Sequence, residues 1–397
     1  MSRALHIERR VAVPMAGAMA LSLLAAGCTP SSPGSAASSL SNRSPESSSA
    51  AISPSAPRIS APEREASIGS AIDQVAADAM ADGVGLSVGV ALDGQIVIRS
   101  YGLADARRRL PVTATTIFPI ASVTKQFTAA AIMQLVERHQ LRLGDQLAKL
   151  LPNVHWMDPR AKSVTVRQLL THTSGIPGYT SVPDFDRLQS RPQTPAAILK
   201  LVTGLPLKFA PGTRAAYSNT GYYLLGLIIE RVTGMPYDAY IMQRLLVPLG
   251  MSDTAPCPQV AGSRQARLYT TGGRSPAAAP PVSLANAYAA GDLCSTAADL
   301  LRWQQALRSG RVVTSASYRE MVTPLRLLDG HRIAYGFGLD LDPIDGHAAV
   351  SHQGGFPGST SDLTWYPHNG LAIAVLSNSS SIAAWTVSAH IAARLLP

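Results

Sequence analysis

Alternating and helically spaced apolar positions divide the chain, from about residue 65 onward, into recognisable elements. The run EASIGSAIDQVAADAMA, residues 65–81, repeats apolar residues at the i, i+3, i+4 spacing of a half-buried helix. LSVGVAL and QIVIRSYG then read as strands on either side of Asp93-Gly94, a dipeptide suited to a two-residue hairpin because both positions tolerate positive φ. The C-terminal end mirrors this order. IAYGFGLDL, STSDLTWYP and LAIAVLSN read as strands, the last two joined across Asn369-Gly370, and IAAWTVSAHIAARLL reads as a closing helix. Between the two ends, over about residues 140–290, helical patterns and loops rich in Pro and Gly dominate, with TGYYLLGLIIERVTG the clearest helix. The pattern predicts an α/β domain: an antiparallel sheet formed by both chain ends, flanking helices, and a mainly helical insertion at about 140–290.

The first 65 residues follow another logic. Arg3, Arg9 and Arg10 precede an apolar run from Val11 to Gly27 that Pro14 and Gly17 interrupt, the pattern of a cleaved export signal over residues 1–27. LLAAGC resembles a bacterial lipobox, which makes Cys28 the candidate lipidation site and a bacterial membrane, reached through an N-terminal lipid, the expected partner. An ordinary secretory signal with an incidental cysteine is the alternative. Residues 28–65 are Ser, Pro and Ala with few large apolar side chains, too little to offset the entropy of ordering, and predict a disordered tether. Such a coil would reach roughly 30–40 Å and hold a catalytic domain, residues 66–397, off the membrane and outside the cytoplasm. Cys257 and Cys294 are then the remaining thiols in an oxidising compartment; a disulfide and two buried free thiols are both open.

Composition excludes little else. The net charge of +9 comes from scattered arginines, and the run Arg107-Arg108-Arg109 directly follows a strand pattern, as a solvated loop would. The expectation is therefore no nucleic-acid partner. No metal and no cofactor are expected either: the nine histidines contain no His-Glu-x-x-His.

The candidate chemistry starts at PIASVTKQFTAAAIMQLVE, residues 119–137. Only five of the 34 basic residues are lysines, yet one of them, Lys125, stands in the first turn of an otherwise apolar helix. Ser122 lies three residues earlier, so both side chains share one face. Burial would favour the neutral amine, and a neutral amine beside a hydroxyl is a general base beside a nucleophile. Arginine could not serve, because it keeps its proton. The positive end of the helix would in addition favour an oxyanion near Ser122. Ser122 as a mere helix cap is the bland reading, so partners are needed.

Two further stretches offer them. In FAPGTRAAYSNTGYYLLGLIIE, Tyr217 could relay a proton and Asn219 could hold a substrate carbonyl; the bland readings are a core aromatic and a cap. In VSHQGGFPGSTSDLTWYP, His352, Gln353, Gly354 and Gly355 follow an apolar strand end, with glycines that let backbone approach a ligand. His368 is rejected because Asn369-Gly370 after it is simply a hairpin turn.

Together these stretches resemble the serine penicillin-recognising superfamily: class C β-lactamases, D-alanyl-D-alanine carboxypeptidases and related esterases. VTVRQLLTHTSGIPGY, LLVPLGMSDT and AAGDLCSTAADLLRW look like the family too, and the resemblance runs over about residues 70–390. It implies that Ser122 is acylated, that Lys125 and Tyr217 serve as base and proton relay in an order left open, that Asn219 orients the substrate amide, and that the N–H groups of Ser122 and Gly355 form an oxyanion hole. His352 and Gln353 depart from the Lys-Thr-Gly of many β-lactamases. A partly charged imidazole would make carboxylate recognition weak or pH-dependent. The expected activity is therefore that of a carboxypeptidase-like or related amide or ester hydrolase on cell-wall D-peptide, with β-lactamase or short-chain esterase as alternatives. A lipoprotein that binds cell-wall peptide or β-lactam without turnover is the non-enzymatic alternative.

Overall fold

The computed structural model describes residues 60–80, 84–260, 262, 264–271 and 276–397. The predicted signal segment, Cys28 and the tether up to residue 59 lie outside the described residues. The elements that frame the site are helix α1 (Ala61–Ala79), strands β1 (Gly85–Leu92), β2 (Gln95–Asp105) and β3 (Leu110–Pro111), helices α2 (Thr124–Glu137), α3 (Val166–Leu170) and α4 (Asn219–Thr233), strand β4 (Leu293–Ser295), helix α5 (Ala297–Arg308), strands β5 (Val350–Phe356), β6 (Ser359–Tyr366) and β7 (Leu371–Ser377), and helix α6 (Ala384–Leu395).

Six strands form one antiparallel sheet in the order β5-β6-β7-β1-β2-β3. The two ends of the chain meet in its middle, where Leu86 to Ala91 pair with Ser377 to Ala372. Alternation assigns the faces. Leu86, Val88, Val90, Ile373 and Val375 pack against Ile68, Ile72 and Val75 of α1 and Val387 and Ile391 of α6. Ala374, Leu376, Leu363 and Trp365 turn the other way and join a core that contains α2, α4 and α5. Gly89 permits the close approach of α5, since a Cβ there would lie 2.9 Å from a Leu301 methyl. The helical insertion shares this second core with the sheet, because Leu169, Tyr222, Ile228 and Leu363 belong to one buried cluster.

The hairpins form where the sequence placed them. Asp93 and Gly94 both have positive φ (50° and 82°), as a primed two-residue turn requires, with Leu92 paired to Gln95. The β6–β7 turn closes over Asn369-Gly370, both of whose N–H groups donate to the Tyr366 carbonyl. Two expectations need correction. Helix α1 starts at Ala61, not Glu65, because Ser60 and Glu63 form a capping box and Pro62 sits in the first turn; the predicted tether therefore loses its last five residues to the helix. The segment IAYGFGLDL is no strand of the sheet. It forms a short pair, Arg332–Ile333 with Leu325–Arg326, and then wraps over α2. A Cβ on Gly336 would meet the Met321 carbonyl at 1.9 Å, and Gly338 (φ 69°) lies against the Lys125 carbonyl, so the glycines serve close backbone contact here.

Cys257 and Cys294 are bonded to each other, which decides between the two alternatives left by the sequence. Both are buried with Ile117, and Cys294 lies in β4, whose neighbour Pro119 leads into the Ser122 turn. The bridge closes a loop of sequence separation 37. Chain entropy assigns such a loop about 4 kcal/mol. Replacing both cysteines by alanine should lower the denaturant-derived unfolding free energy by about 2–4 kcal/mol; an unchanged midpoint would refute a stabilising role.

Candidate active site

Ser122 lies in a single 3-10 turn, Ala121–Val123, that runs into α2. It is not a helix cap: the residue before α2 is Val123, and no side chain caps either segment, so the hydroxyl is free for other partners. The turn is pinned from two sides. Ile120 N–H donates to the Leu293 carbonyl (2.9 Å), and Leu293 N–H donates to Thr124 Oγ1 (3.2 Å). Ser361 Oγ on β6 donates to the Ile120 carbonyl (2.7 Å). Ala121 is held at φ 45°, an uncommon conformation for a residue with a side chain, directly before the nucleophile.

Lys125 is fully buried. Its Nζ lies 2.9 Å from Ser122 Oγ, 2.8 Å from Asn219 Oδ1 and 2.7 Å from the Ala290 carbonyl oxygen. None of the ion pairs among the described residues includes it. Burial without a counter-ion pushes its pKa well below the usual 10.5 and so favours the neutral amine. Valence then fixes the directions. A neutral amine has two hydrogens and one lone pair. Asn219 Oδ1 and the Ala290 carbonyl can only accept, so they take both hydrogens and the lone pair faces Ser122 O–H.

Tyr217 completes the circuit by donating its O–H to Ser122 Oγ at 2.7 Å. Burial of the hydroxyl raises its pKa above the ordinary 10, against the opposing effect of the Ser122 bond, so it stays a donor. The residue itself is 44 % exposed, because its ring borders the open cleft. Asn219 opens α4 rather than capping it, and its amide nitrogen donates to Thr180 Oγ1 (3.1 Å), which leaves the oxygen turned to Lys125. The structure thus joins Ser122, Lys125, Tyr217 and Asn219 directly.

The third stretch lies on β5, the edge strand. Ser351 exchanges both backbone hydrogen bonds with Asp340, on the side away from β6. Alternation turns the N–H and C=O groups of Gln353 and Gly355 to that same free edge. Gly354 is required by proximity: a Cβ there would come within 2.3 Å of the Ile120 carbonyl, so only glycine lets β5 lie against the nucleophile turn. Gly355 is exposed, and a Cβ there would meet only the Ser359 carbonyl, at 3.9 Å.

His352 requires a correction. It is 5 % exposed, and burial lowers its pKa to about 3, so it is neutral where a partly charged imidazole was expected. Its Nδ1 is 2.7 Å from the Gln353 carbonyl, which can only accept, so the proton sits on Nδ1 and Nε2 accepts from Tyr335 O–H at 3.1 Å. Both nitrogens are thereby engaged within the protein. The Gln353 side chain is exposed on the face that β5 shares with Asp362, opposite the face of Gly354, so this residue offers the cleft its backbone.

Four participants escaped the sequence reading: Tyr335, which holds His352; Thr180, which orients Asn219; the Ala290 carbonyl; and His172, whose ring stacks on Tyr217 with centroids 4.4 Å apart. The last two lie in stretches already singled out, LLTHTSG and AAGDLCST, but nothing in composition assigns them a task. Two cavities, of about 350 and 530 Å³, lie away from Ser122, so the circuit itself locates the site.

With this geometry in hand, the comparisons with known proteins are informative. A family profile described as Beta-lactamase matches residues 72–394. A penicillin-binding protein of Bacillus subtilis (strain 168) is 31 % identical over 296 residues, covering 70 % of this chain; the match spans only 64 % of the relative's own length. Penicillin-binding protein 4 of Amycolatopsis lactamdurans is 30 % identical over 311 residues, 74 % of this chain and 80 % of the relative. The structure of a D-amino acid amidase from Ochrobactrum anthropi SV3 complexed with L-phenylalanine aligns with a TM-score of 0.72 at 28 % identity, over 83 % of this chain and 98 % of that one.

Two outcomes follow from the circuit. Lys125→Arg keeps a long basic side chain but offers no lone pair, and should lower the acylation rate of an activated ester by about 10²- to 10⁴-fold; stopped-flow rates near those of the parent would refute the neutral-base assignment. The rate requires the free amine, so kcat/KM should fall on the acid side as Lys125 protonates. Because burial depresses that pKa and raises that of Tyr217, the acid limb should lie below the pH at which an ordinary lysine titrates, about 10.4, with no loss of rate through that range. A rise that continues to the pH of an ordinary lysine would contradict it.

Proposed function

We propose that this chain, which belongs to the beta-lactamase family, is a serine hydrolase that forms an acyl-enzyme on Ser122 and acts on small amides and esters of the D-amino-acid amidase kind, which carry no carboxylate beside the scissile bond. The observation that carries the reading is the closed circuit in which Lys125 presents its lone pair to Ser122 O–H while Tyr217 donates to the same oxygen. Lys125 takes the Ser122 proton as Oγ attacks the substrate carbonyl. The N–H groups of Ser122 and Gly355 hold the resulting oxyanion; single donors of this kind are worth about 3–4 kcal/mol. Tyr217 donates its proton to the departing nitrogen or oxygen and recovers one from protonated Lys125 by way of the shared hydrogen-bond network. Water then attacks the acyl-enzyme by the same route in reverse.

The neutral His352 favours amides and esters over β-lactams. A penicillin presents a carboxylate, and this imidazole carries neither a charge nor a free donor for it. The D-amino acid amidase relative supports the same direction. Export is part of the proposal: the Cys257–Cys294 bridge suits an oxidising compartment, as the signal-like residues 1–27 and Cys28 suggest.

The test places the full chain beside Ser122→Ala with a p-nitrophenyl ester, a D-amino acid amide and benzylpenicillin, following product and the intact protein mass. Ser122-dependent turnover of ester and amide is expected. Penicillin should be hydrolysed about 10- to 100-fold more slowly, since a missing charge-assisted hydrogen bond is worth about 1.5–3 kcal/mol. Rapid penicillin turnover would convert the reading to a β-lactamase. Absence of both turnover and a Ser122 adduct would replace it with a non-catalytic binder.

A further inference from the structure

We propose that His172 is a positioning residue that clamps Tyr217 in its proton-donating pose, an inference that rests on the hydrolase reading. Tyr217 is the least enclosed member of the circuit: it borders the cleft, and its hydroxyl bonds to Ser122, the group that must move during reaction. Something else has to fix the ring before substrate arrives. His172, directly beyond α3 and only 4 % exposed, touches the Tyr217 segment in three ways. Its backbone carbonyl accepts from Ala216 N–H at 2.9 Å. Its Nδ1 accepts from Ser218 N–H at 3.2 Å. Between these two anchors, its ring lies tilted at 41° against the Tyr217 ring, 4.4 Å between centroids. One residue thus grips the chain immediately before and after Tyr217 and walls the ring that lies between.

The geometry has a conformational cost that supports a dedicated role. His172 is held at φ 58°, in the left-handed region that side chains seldom occupy. This conformation is the one in which both carbonyl and imidazole are presented to the 216–218 segment. Because Nδ1 accepts, the neutral ring carries its proton on Nε2, and that buried atom has no hydrogen-bond partner. The imidazole ring lies among the rings of Tyr217, Tyr222 and Tyr335, with 4.4, 5.3 and 4.9 Å between centroids. An unpartnered N–H turned into aromatic walls is tolerated here, while Nδ1 and the ring face do the positioning.

His172→Gly tests the clamp, because glycine takes the same φ without strain and leaves an imidazole-sized space beside the cleft. In the full chain with a p-nitrophenyl ester, kcat should drop about 100-fold with KM nearly unchanged, the scale of a misplaced reacting group. Added imidazole should restore much of the rate. In a Tyr217→Phe background, His172→Gly should cost little more, and imidazole should restore nothing. Should the glycine variant fold poorly, His172→Asn, whose Oδ1 can replace Nδ1 and which tolerates positive φ, enters the same cycle without imidazole. Equal losses in the presence and absence of the Tyr217 hydroxyl, or a variant with parental kcat, would overturn the clamp. No Ser122-dependent turnover in the parent chain would overturn the hydrolase reading and the clamp with it, which separates the two failures.

Discussion

The whole site depends on the burial of one amine without a counter-ion. An ammonium taken out of water costs several kcal/mol unless it is paired. Lys125 avoids that cost in its neutral form, which burial favours. Neutral carbonyls from Asn219 and Ala290 satisfy its two hydrogens without restoring a charge. A nearby carboxylate would undo this by holding the proton in place. The buried acid next in sequence to this cluster, Asp292, is itself pushed well above the ordinary carboxylate range by burial, which favours its uncharged form. The lysine is therefore suited to act as a base because of what the fold withholds from it.

The sheet formed by both chain ends is what makes that arrangement possible. The Ile120 carbonyl is the junction: it accepts from Ser361 on β6, lies against Gly354 on β5, and belongs to the residue whose N–H binds Leu293. Those partners are 241, 234 and 173 positions away along the chain. The nucleophile turn is thus wedged between the edge of the sheet and β4, with α2 carrying Lys125 into the core behind it. Packing fixes the distances, and the distances fix the chemistry. The disulfide acts on the same wedge, since Cys294 pairs with Pro119 two residues before Ala121.

Local rules made part of this legible. The spacing of Ser122 and Lys125, the apolar face of α2, the Asp93-Gly94 and Asn369-Gly370 turns and the meeting of both chain ends in one sheet all follow from periodicity and turn chemistry, which neighbours in sequence determine. Three features did not follow. The start of α1 depends on Ser60 and Glu63, a cap outside the apolar periodicity. The second acceptor for Lys125 is a backbone carbonyl, and no side-chain pattern announces which carbonyl will face inward. The protonation of His352 depends on burial and on Tyr335, both consequences of tertiary packing, so residue type alone suggested a charge that the folded protein does not carry.

That uncharged histidine also explains why Lys125 can be tuned by solvation alone. A lysine at position 352 would bring an ammonium towards Lys125, and its charge would add to burial in disfavouring protonation there. Here the imidazole spends Nδ1–H on the Gln353 carbonyl and accepts from Tyr335 on Nε2. Protonating it would turn Nε2 into a donor facing another donor, unless the Tyr335 hydroxyl rotated away. The ring is therefore locked neutral by geometry as well as by burial. β5 then meets the cleft with backbone N–H and C=O groups rather than with a cation, a surface matched to the extended backbone of an amide or ester substrate. On the proposed reading, selectivity is thus an electrostatic property of one edge strand, separable from the hydrogen-bonded circuit that Ser122, Lys125 and Tyr217 form.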